Sequence, residues 1–483
     1  MKTSSVLAFF LYIAILFVIG FASKKRNQTS RDFILGSRKM SFWLTALAAH
    51  ASDMSSWIFM AYPAVIFALG LSQAWTAIGL TVFMFLNWQF VAPKLRTMTE
   101  SYESLTLSSF FESRFSDTTG LIRVVTVIAS MIFYTIYISG GLVALGLLTE
   151  TLFGLSYITG ITLGILIIIP YLFIGGYITL AWTDFFQGLF LLSVIVFVPL
   201  YAYFHLGGSE VIVNAIQAKQ DFEGFIPDFS FKTLFSILFL TCGWGLGYFG
   251  QPHIVTKFMG IKNVNEMPKS KWVGITWQAI SLSAATLVGI VAIAFYSKTG
   301  IENNQLIFIE MALQLFTPFV ATFILCAILG ATITCMDSQI LVLASNLSED
   351  FYKRILRKEA SSKELLVVSR ISILIVALIS FSIACSTSST IFSLVSFAWF
   401  GLGASFGPLV LFSLYSKRAN RIGAWGGLIS GTLVAIFWPL INKNFAFEVP
   451  SIIPGFIISS FTIWALSSIT QYKNDPNIVG YTK

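Results

Sequence analysis

Apolar residues run along this chain in stretches that are nearly free of charge and too long for a soluble helix or strand. Thirteen such stretches recur, at roughly 5–22, 43–66, 70–92, 123–149, 157–176, 183–204, 232–250, 273–297, 316–345, 365–385, 390–416, 422–441 and 451–470. A bilayer core of about 30 Å takes about 20 apolar residues in helical form, so each stretch predicts a membrane span. Backbone polar groups at that depth must bond within their own segment, which makes the spans helices. The expectation is an all-α membrane protein with about 13 transmembrane helices, a single polytopic domain over residues 1–483.

Composition agrees. Of the 483 residues, 56% are hydrophobic and 11% charged, against about 25% charged in soluble domains. The charges are informative through their placement. With the N-terminus outside and the C-terminus inside, 24 of the 30 Lys and Arg fall in inner loops and the C-terminal tail, and five fall outside. That asymmetry obeys the positive-inside rule. Inner residues include Lys24, Lys25, Arg26, Lys257, and the run Lys353, Arg354, Arg357, Lys358 and Lys363. This reading treats the net charge of +8 as a topology signal dispersed over short solvated loops, and no nucleic-acid partner is expected. The first basic cluster follows its apolar run rather than preceding it, the layout of a retained helix rather than a signal peptide. Cys242, Cys326, Cys335 and Cys385 all lie in spans, so no structural disulfide is expected.

Chemistry is sought in the polar residues at membrane depth. Asp53, Asp184 and Asp337 lie well within spans, and no Lys or Arg sits near them in those spans. Carboxylates at that depth face a cavity, a cation or a partner; the bland alternative is a set of helix-to-helix hydrogen bonds. Each lies among hydroxyls: Asp53 before Ser55 and Ser56, Asp184 after Thr183, and Asp337 with Thr332, Thr334 and Ser338 at helical spacing. Hard oxygen donors suit a small hard cation. A second feature is the run TCGWGLGYFGQPH at 241–253, with Gly243, Gly245, Gly247, Gly250 and Pro252. Each Gly costs a helix interior about 1 kcal/mol and Pro about 3, which predicts an unwound segment flanked by Trp244 and Tyr248. Gly243 and Gly247 also fit close helix packing, on one face only. Setting the first span aside, the next ten divide five plus five, with Asp53 and the Gly-rich break each in the first helix of a half. Interrupted helices at matching places point to a secondary transporter's central site.

At these residues the chain resembles the sodium:solute symporter family, most densely in ASDMSSW (51–57), GLSQAWTAIGLTVFMFLNWQFVAPKLR (70–96), GGYITLAWTDFFQ (175–187), GWGLGYFGQPHI (243–254) and DSQILVLASNLSEDFYK (337–353). The resemblance implies a leucine-transporter-type core: a first span and basic loop (1–42), two inverted five-helix repeats (43–204 and 205–416), and two further spans with a tail (417–483). It implies sodium held by carbonyls of Ala51, Met54 and Ala331 and the hydroxyl of Thr334. The family's next ligand is a Ser or Thr hydroxyl; here that place is Cys335, a weak ligand for a hard cation. Asp53 and Ser55 would couple ion to solute. Asp184, Asp337 and Ser338 match a second cation site or transit path. Ser55, Ser56, Tyr137, Trp244, Tyr248 and Pro252 match solute-binding positions. The family usually reads Ser-Gly where this chain has Ser55-Ser56.

The implied activity is sodium-coupled uptake by alternating access across a bacterial cytoplasmic membrane, with L-proline as the solute and another small carboxylate or amino acid as the alternative. Sodium would be cargo, with no organic cofactor. Two other classes fit poorly. GASFG at 403–407 has the Gly-x-Ser-x-Gly spacing of a hydrolase elbow, but that motif needs a strand-to-helix turn. His50, His205 and His253 offer it no placed partner, so no enzyme is expected. A channel would need a filter segment, and none is visible.

Overall fold

The computed structural model describes residues 3–23, 34–174, 176–386, 388–445 and 448–470. The basic cluster Lys24, Lys25, Arg26 and Arg31 and the tail with Lys473 and Lys483 lie outside the described residues.

The described residues of the chain are nearly all helical. Its helices are α1 (Thr3–Ser23), α2 (Phe42–Met54), α3 (Ala61–Leu69), α4 (Trp75–Leu86), α5 (Ala92–Ser101), α6 (Leu107–Arg114), α7 (Leu121–Phe153), α8 (Tyr157–Ile174), α9 (Tyr177–His205), α10 (Ser209–Ala218), α11 (Phe231–Gly245), α12 (Pro252–Met259), α13 (Met267–Phe295), α14 (Ile307–Leu315), α15 (Pro318–Ser345), α16 (Ser362–Ser386), α17 (Ile391–Tyr415), α18 (Arg421–Asn442) and α19 (Ile452–Ile469). Extended pairing among the described residues is limited to isolated bridges, Met40 with Ile261 and Gly70 with Glu223.

Among the described residues, eleven helices are long and apolar enough to cross a bilayer, and α2 with the segment Ser56–Leu69 makes a twelfth, bent by 64°. The remaining predicted span, 157–176, corresponds to α8, whose apolar stretch Tyr157–Pro170 is shorter than the others. Large apolar side chains face outward on the periphery: Phe10, Val18, Phe204, Leu378 and Phe461 are each more than 60% exposed. In water that surface would aggregate; against lipid tails it is matched.

Buried elements lie at the centre. α2 packs on α9, α12, α13 and α15; the segment after α11 packs on α17; α17 rests on α7. α1 leans on α15 and α9, while α18 and α19 pair with each other and with α17.

The basic residues do more than mark topology. Arg38 donates to the carbonyls of Met259 (2.8 Å), Thr99 (2.9 Å) and Ser104 (3.0 Å). Arg96 donates to Ile261 (2.7 Å) and Arg114 to Ser413 and Ser416 (2.8 and 2.6 Å). These guanidinium groups tie loop and helix-end carbonyls that lack intrahelical partners. The 353–364 stretch is mostly exposed, as expected of a solvated loop, but its first residues are helical and paired. α15 continues as a π-helical segment, Asn346–Leu356. Its Asp350 pairs with Arg123 (3.1 Å), and Arg123 and Arg354 both reach Glu112 (2.5 and 2.8 Å). The sequence reading missed Glu112 and Asp350, whose partners are far away in the chain, and Glu349, which pairs with Lys353 one turn on (3.0 Å).

One connection between helices is pinned tightly. Glu223 exchanges backbone hydrogen bonds with Leu69 and Leu71 (3.1 and 2.8 Å). Gly70 between them has φ +106°, and a Cβ there would lie 2.3 Å from the Glu223 carbonyl oxygen. Only glycine satisfies both conditions.

Candidate functional site

α2 opens with Ser41, whose hydroxyl accepts from Leu44 N–H, and runs to Met54. Ser55 then leaves helical space at φ +46°, ψ −165°, and its hydroxyl accepts from the Trp57 N–H (3.2 Å). A non-glycine residue held at such angles costs of order 1–3 kcal/mol and persists only where its surroundings enforce it. Asp53, Ser55 and Ser56 are all buried at this break.

The Gly-rich stretch is broken too, though less openly than predicted. α11 tightens into a 3₁₀ segment, Leu246–Gly250, and Gln251 is extended (φ −92°, ψ 99°) before α12 starts at Pro252. The glycines answer to packing on several faces, where packing had been expected to explain only one. A Cβ on Gly245 would lie 2.2 Å from Phe83, on Gly247 2.0 Å from Trp399, and on Gly250 2.6 Å from the Gly407 nitrogen. Side chains cap the freed backbone. Trp399 Nε1 donates to the Trp244 carbonyl (2.8 Å) and Asn87 to the Tyr248 carbonyl (3.0 Å), while Gln251 at the break donates in turn to the Trp399 carbonyl on α17 (3.0 Å).

The two breaks meet. Tyr248 from the second donates its hydroxyl hydrogen to Asp53 Oδ2 from the first (2.5 Å). Gln278 Nε2 on α13 donates to the same hydroxyl (2.9 Å). Between the breaks lies a small cavity lined by Asp53, Met54, Trp57, Leu80, Tyr137, Trp244, Tyr248, Val395 and Trp399. Trp57 and Trp244 approach to 5.0 Å between ring centroids, and Tyr248 meets Trp399 edge-on at 5.1 Å. This compartment is aromatic-walled, with a single carboxylate among its lining residues.

Beside it, α15 crosses α2. The Thr334 hydroxyl lies 3.1 Å from the Ala51 carbonyl oxygen and 3.0 Å from that of Ala331. Three hard oxygens thus converge where two helices cross. Met54 ends α2 and faces the cavity. The Cys335 thiol accepts from Gln339 Nε2 on its own helix (3.1 Å) and lies against the Tyr137 hydroxyl.

Of the predicted solute-binding residues, Tyr137, Trp244 and Tyr248 line the cavity; Ser55, Ser56 and Pro252 do not. Pro252 lines a separate cavity with His253, Lys257 and Ser338. Asp184 differs from expectation. Its Oδ2 is paired with Lys257 Nζ at 2.9 Å, and both side chains are buried. Lys257 therefore sits inside the bundle, not in a solvated inner loop; its charge comes from a different helix, which a scan within each span does not see. Neither oxygen of Asp337 meets a hydrogen-bonding partner of good geometry, nor does the Ser338 hydroxyl beside it.

Sequence reasoning passed over Trp57, Leu80, Val395, Trp399 and Gln278 as site residues. Trp57 lay within the motif around Asp53. Leu80 and Val395 look like any lipid-buried aliphatic, and only the fold brings them here.

Comparison with known proteins agrees with this architecture. The family model described as the sodium:solute symporter family matches residues 33–431. A sodium/proline symporter of Staphylococcus aureus is 40% identical over 472 residues, covering 95% of this chain and 92% of that protein. The structure of a Na+-coupled sialic acid symporter, in a substrate-bound outward-open state, superposes with a TM-score of 0.80 at 20% identity, covering 97% of this chain and 98% of that one. A nucleobase-cation-symport-1 family transporter in a closed conformation superposes with a TM-score of 0.58 at 13% identity, over 92% and 96% of the two chains. The fold is the leucine-transporter type. With a family model spanning most of its length and broken helices meeting at a shared site, the chain belongs to the sodium:solute symporter family.

Proposed function

We propose that this chain takes up L-proline with sodium by alternating access across the cytoplasmic membrane, its N-terminus outside. The observation that carries the reading is the bond from Tyr248 to Asp53, which joins the two broken helices at an aromatic-walled cavity. The 40% identity to a sodium/proline symporter supports proline as the solute.

Sodium occupies the crossing of α2 and α15. Its ligands are the carbonyls of Ala51, Met54 and Ala331 and the Thr334 hydroxyl, with Cys335 a poor fifth. An ion there displaces the Thr334 hydrogen from the two carbonyls it now bonds, and it fastens α2 to α15. Asp53, lying between Ala51 and Met54 in the chain, draws the ion in and serves as the coupling group with Ser55. The solute ring packs among Tyr137, Trp57, Trp244 and Tyr248. Its carboxylate meets the amides near Ser55 and Ser56, where a helix start favours an anion. Pro252 starts α12 and shapes the second break without touching the solute. Asp337 and Ser338, one turn on from Thr334, mark the ion's inward path. Each ligand firms the break that the other requires, so the affinities rise together. Each sodium moved inward gains about 2.3 kcal/mol per 100 mV.

The test is uptake of labelled L-proline into proteoliposomes with and without an inward sodium gradient, in competition with a panel of amino acids and small carboxylates. Sodium-dependent uptake blocked by proline supports the reading. Uptake independent of sodium overturns the symport; competition by another solute and not by proline overturns the substrate.

A further inference from the structure

Asp184, Lys257, Asp337 and Ser338 come from three different helices and none is exposed. Asp184 is on α9, Lys257 on α12, and Asp337 with Ser338 on α15. Asp184 and Asp337 have no exposed surface, and Lys257 and Ser338 are 2% exposed. The ammonium lies 2.9 Å from Asp184 Oδ2 and over the Tyr177 ring at 5.4 Å. Asp184 and Lys257 are the charges that act on the Asp337 carboxyl. Lys257 and Ser338 also face one cavity. Asp184 Oδ1, both oxygens of Asp337 and the Ser338 hydroxyl are left without partners. These are buried hard oxygens of the kind a cation takes, with Lys257 beside Asp184 and Ser338 beside Asp337 as the nearby donors. A buried carboxylate needs a counter-charge, and here the chain supplies one of its own.

We propose that Lys257 is a tethered counter-cation: its ammonium holds the place beside Asp184 that a second alkali ion would take. The chain then binds one sodium ion, at the crossing of α2 and α15, and removal of Lys257 opens a second alkali-ion site on Asp184, Asp337 and Ser338. The inference rests on the sodium-site reading above for the first ion. Its consequence is energetic. An ammonium fixed to α12 satisfies Asp184 in every turnover yet never leaves with the solute, so it adds nothing to the driving force. Because α12 follows directly on the second break, Lys257 also moves with that hinge, and its charge is carried against α9 without an ion being consumed.

The test is equilibrium binding of ²²Na⁺ to the purified full chain in detergent, counted per folded molecule. The wild type should bind one ion, Lys257→Met two, and Lys257→Arg, which keeps a cation beside Asp184, one. Two ions in the wild type, or one in folded Lys257→Met, would overturn the proposal. Should Lys257→Met fail to fold, Asp184→Asn decides: a count still at one supports a site that sodium does not use, and a fall shows Asp184 to be a sodium ligand. A wild type that binds no sodium refutes the first site, and with it the transport reading, irrespective of Lys257.

Discussion

Replacing Tyr248 by Phe isolates the link between the two broken helices. The ring keeps its edge-on packing against Trp399 at 5.1 Å, and only the hydroxyl is lost. That oxygen makes two buried bonds, donating to Asp53 at 2.5 Å and accepting from Gln278 at 2.9 Å. A bond to a charged group contributes about 1.5–3 kcal/mol, and a buried donor left unmatched costs about 1–3 kcal/mol. Tyr248→Phe should therefore destabilise the chain by about 3–5 kcal/mol. Gln278→Leu alone severs one bond and should cost about 1–2 kcal/mol. In the double variant the amide that Tyr248→Phe strands is already gone, so the two losses should fall short of their sum by about 1–2 kcal/mol. The measurement is unfolding of the purified protein in detergent for the wild type, both single variants and the double, each with sodium and with choline. Tyr248→Phe should also show a smaller sodium-induced stabilisation, since Asp53 is no longer held. If Tyr248→Phe matched the wild type, or the double variant were simply additive, the hydrogen-bonded chain Gln278–Tyr248–Asp53 would not exist as described.

Three further outcomes are expected. Asp53→Asn keeps the shape and an acceptor for Tyr248 but removes the charge, so the sodium concentration for half-maximal uptake should rise at least tenfold; an unchanged value would remove Asp53 from ion coupling. Cys335→Ser puts a hard oxygen where a thiol now stands, and sodium affinity in a binding titration should tighten about tenfold, the equivalent of about 1.4 kcal/mol; weaker binding would show that position 335 faces away from the ion. Gly250→Ala places a Cβ 2.6 Å from the Gly407 nitrogen and 2.7 Å from the Leu402 carbonyl oxygen, backbone atoms that cannot swing aside. Overpacking of that kind costs about 1–3 kcal/mol, so its melting point should drop clearly below that of Gly224→Ala, where nothing lies within 4 Å.

Several features were legible in the chain because they follow from local chemistry. An uninterrupted apolar run has one stable form in lipid, so most spans were legible: among the described residues eleven helices and one bent pair are long and apolar enough to cross, and the stretch at 157–176 is shorter. An aspartate among hydroxyls and a cluster of glycines each oppose a continuous helix, and both breaks occur where those residues stand. Their distribution over two halves pointed to a shared centre before any contact was known. Details of the breaks were less accessible. Ser55, not Ser56, takes the positive φ, and the glycines are demanded by Phe83, Trp399 and the backbone of α17 as well as by the bend.

Tertiary structure alone decided which charges belong together. Lys257 is nearest in the chain to Thr256 and Phe258, and nothing there announces Asp184, 73 residues earlier. Arg123, Glu112 and Asp350 read as separate loop or helix-end charges until the fold sets them side by side. The cavity wall likewise draws Leu80, Val395 and Trp399 from helices on which nothing local marks those positions as lining a site. The physical reason is the range of the forces. Hydrophobic transfer and helix propensity act on a residue and its near neighbours, and so are written in linear order. Counter-charge and cavity shape depend on distances that exist only once helices far apart in sequence have packed.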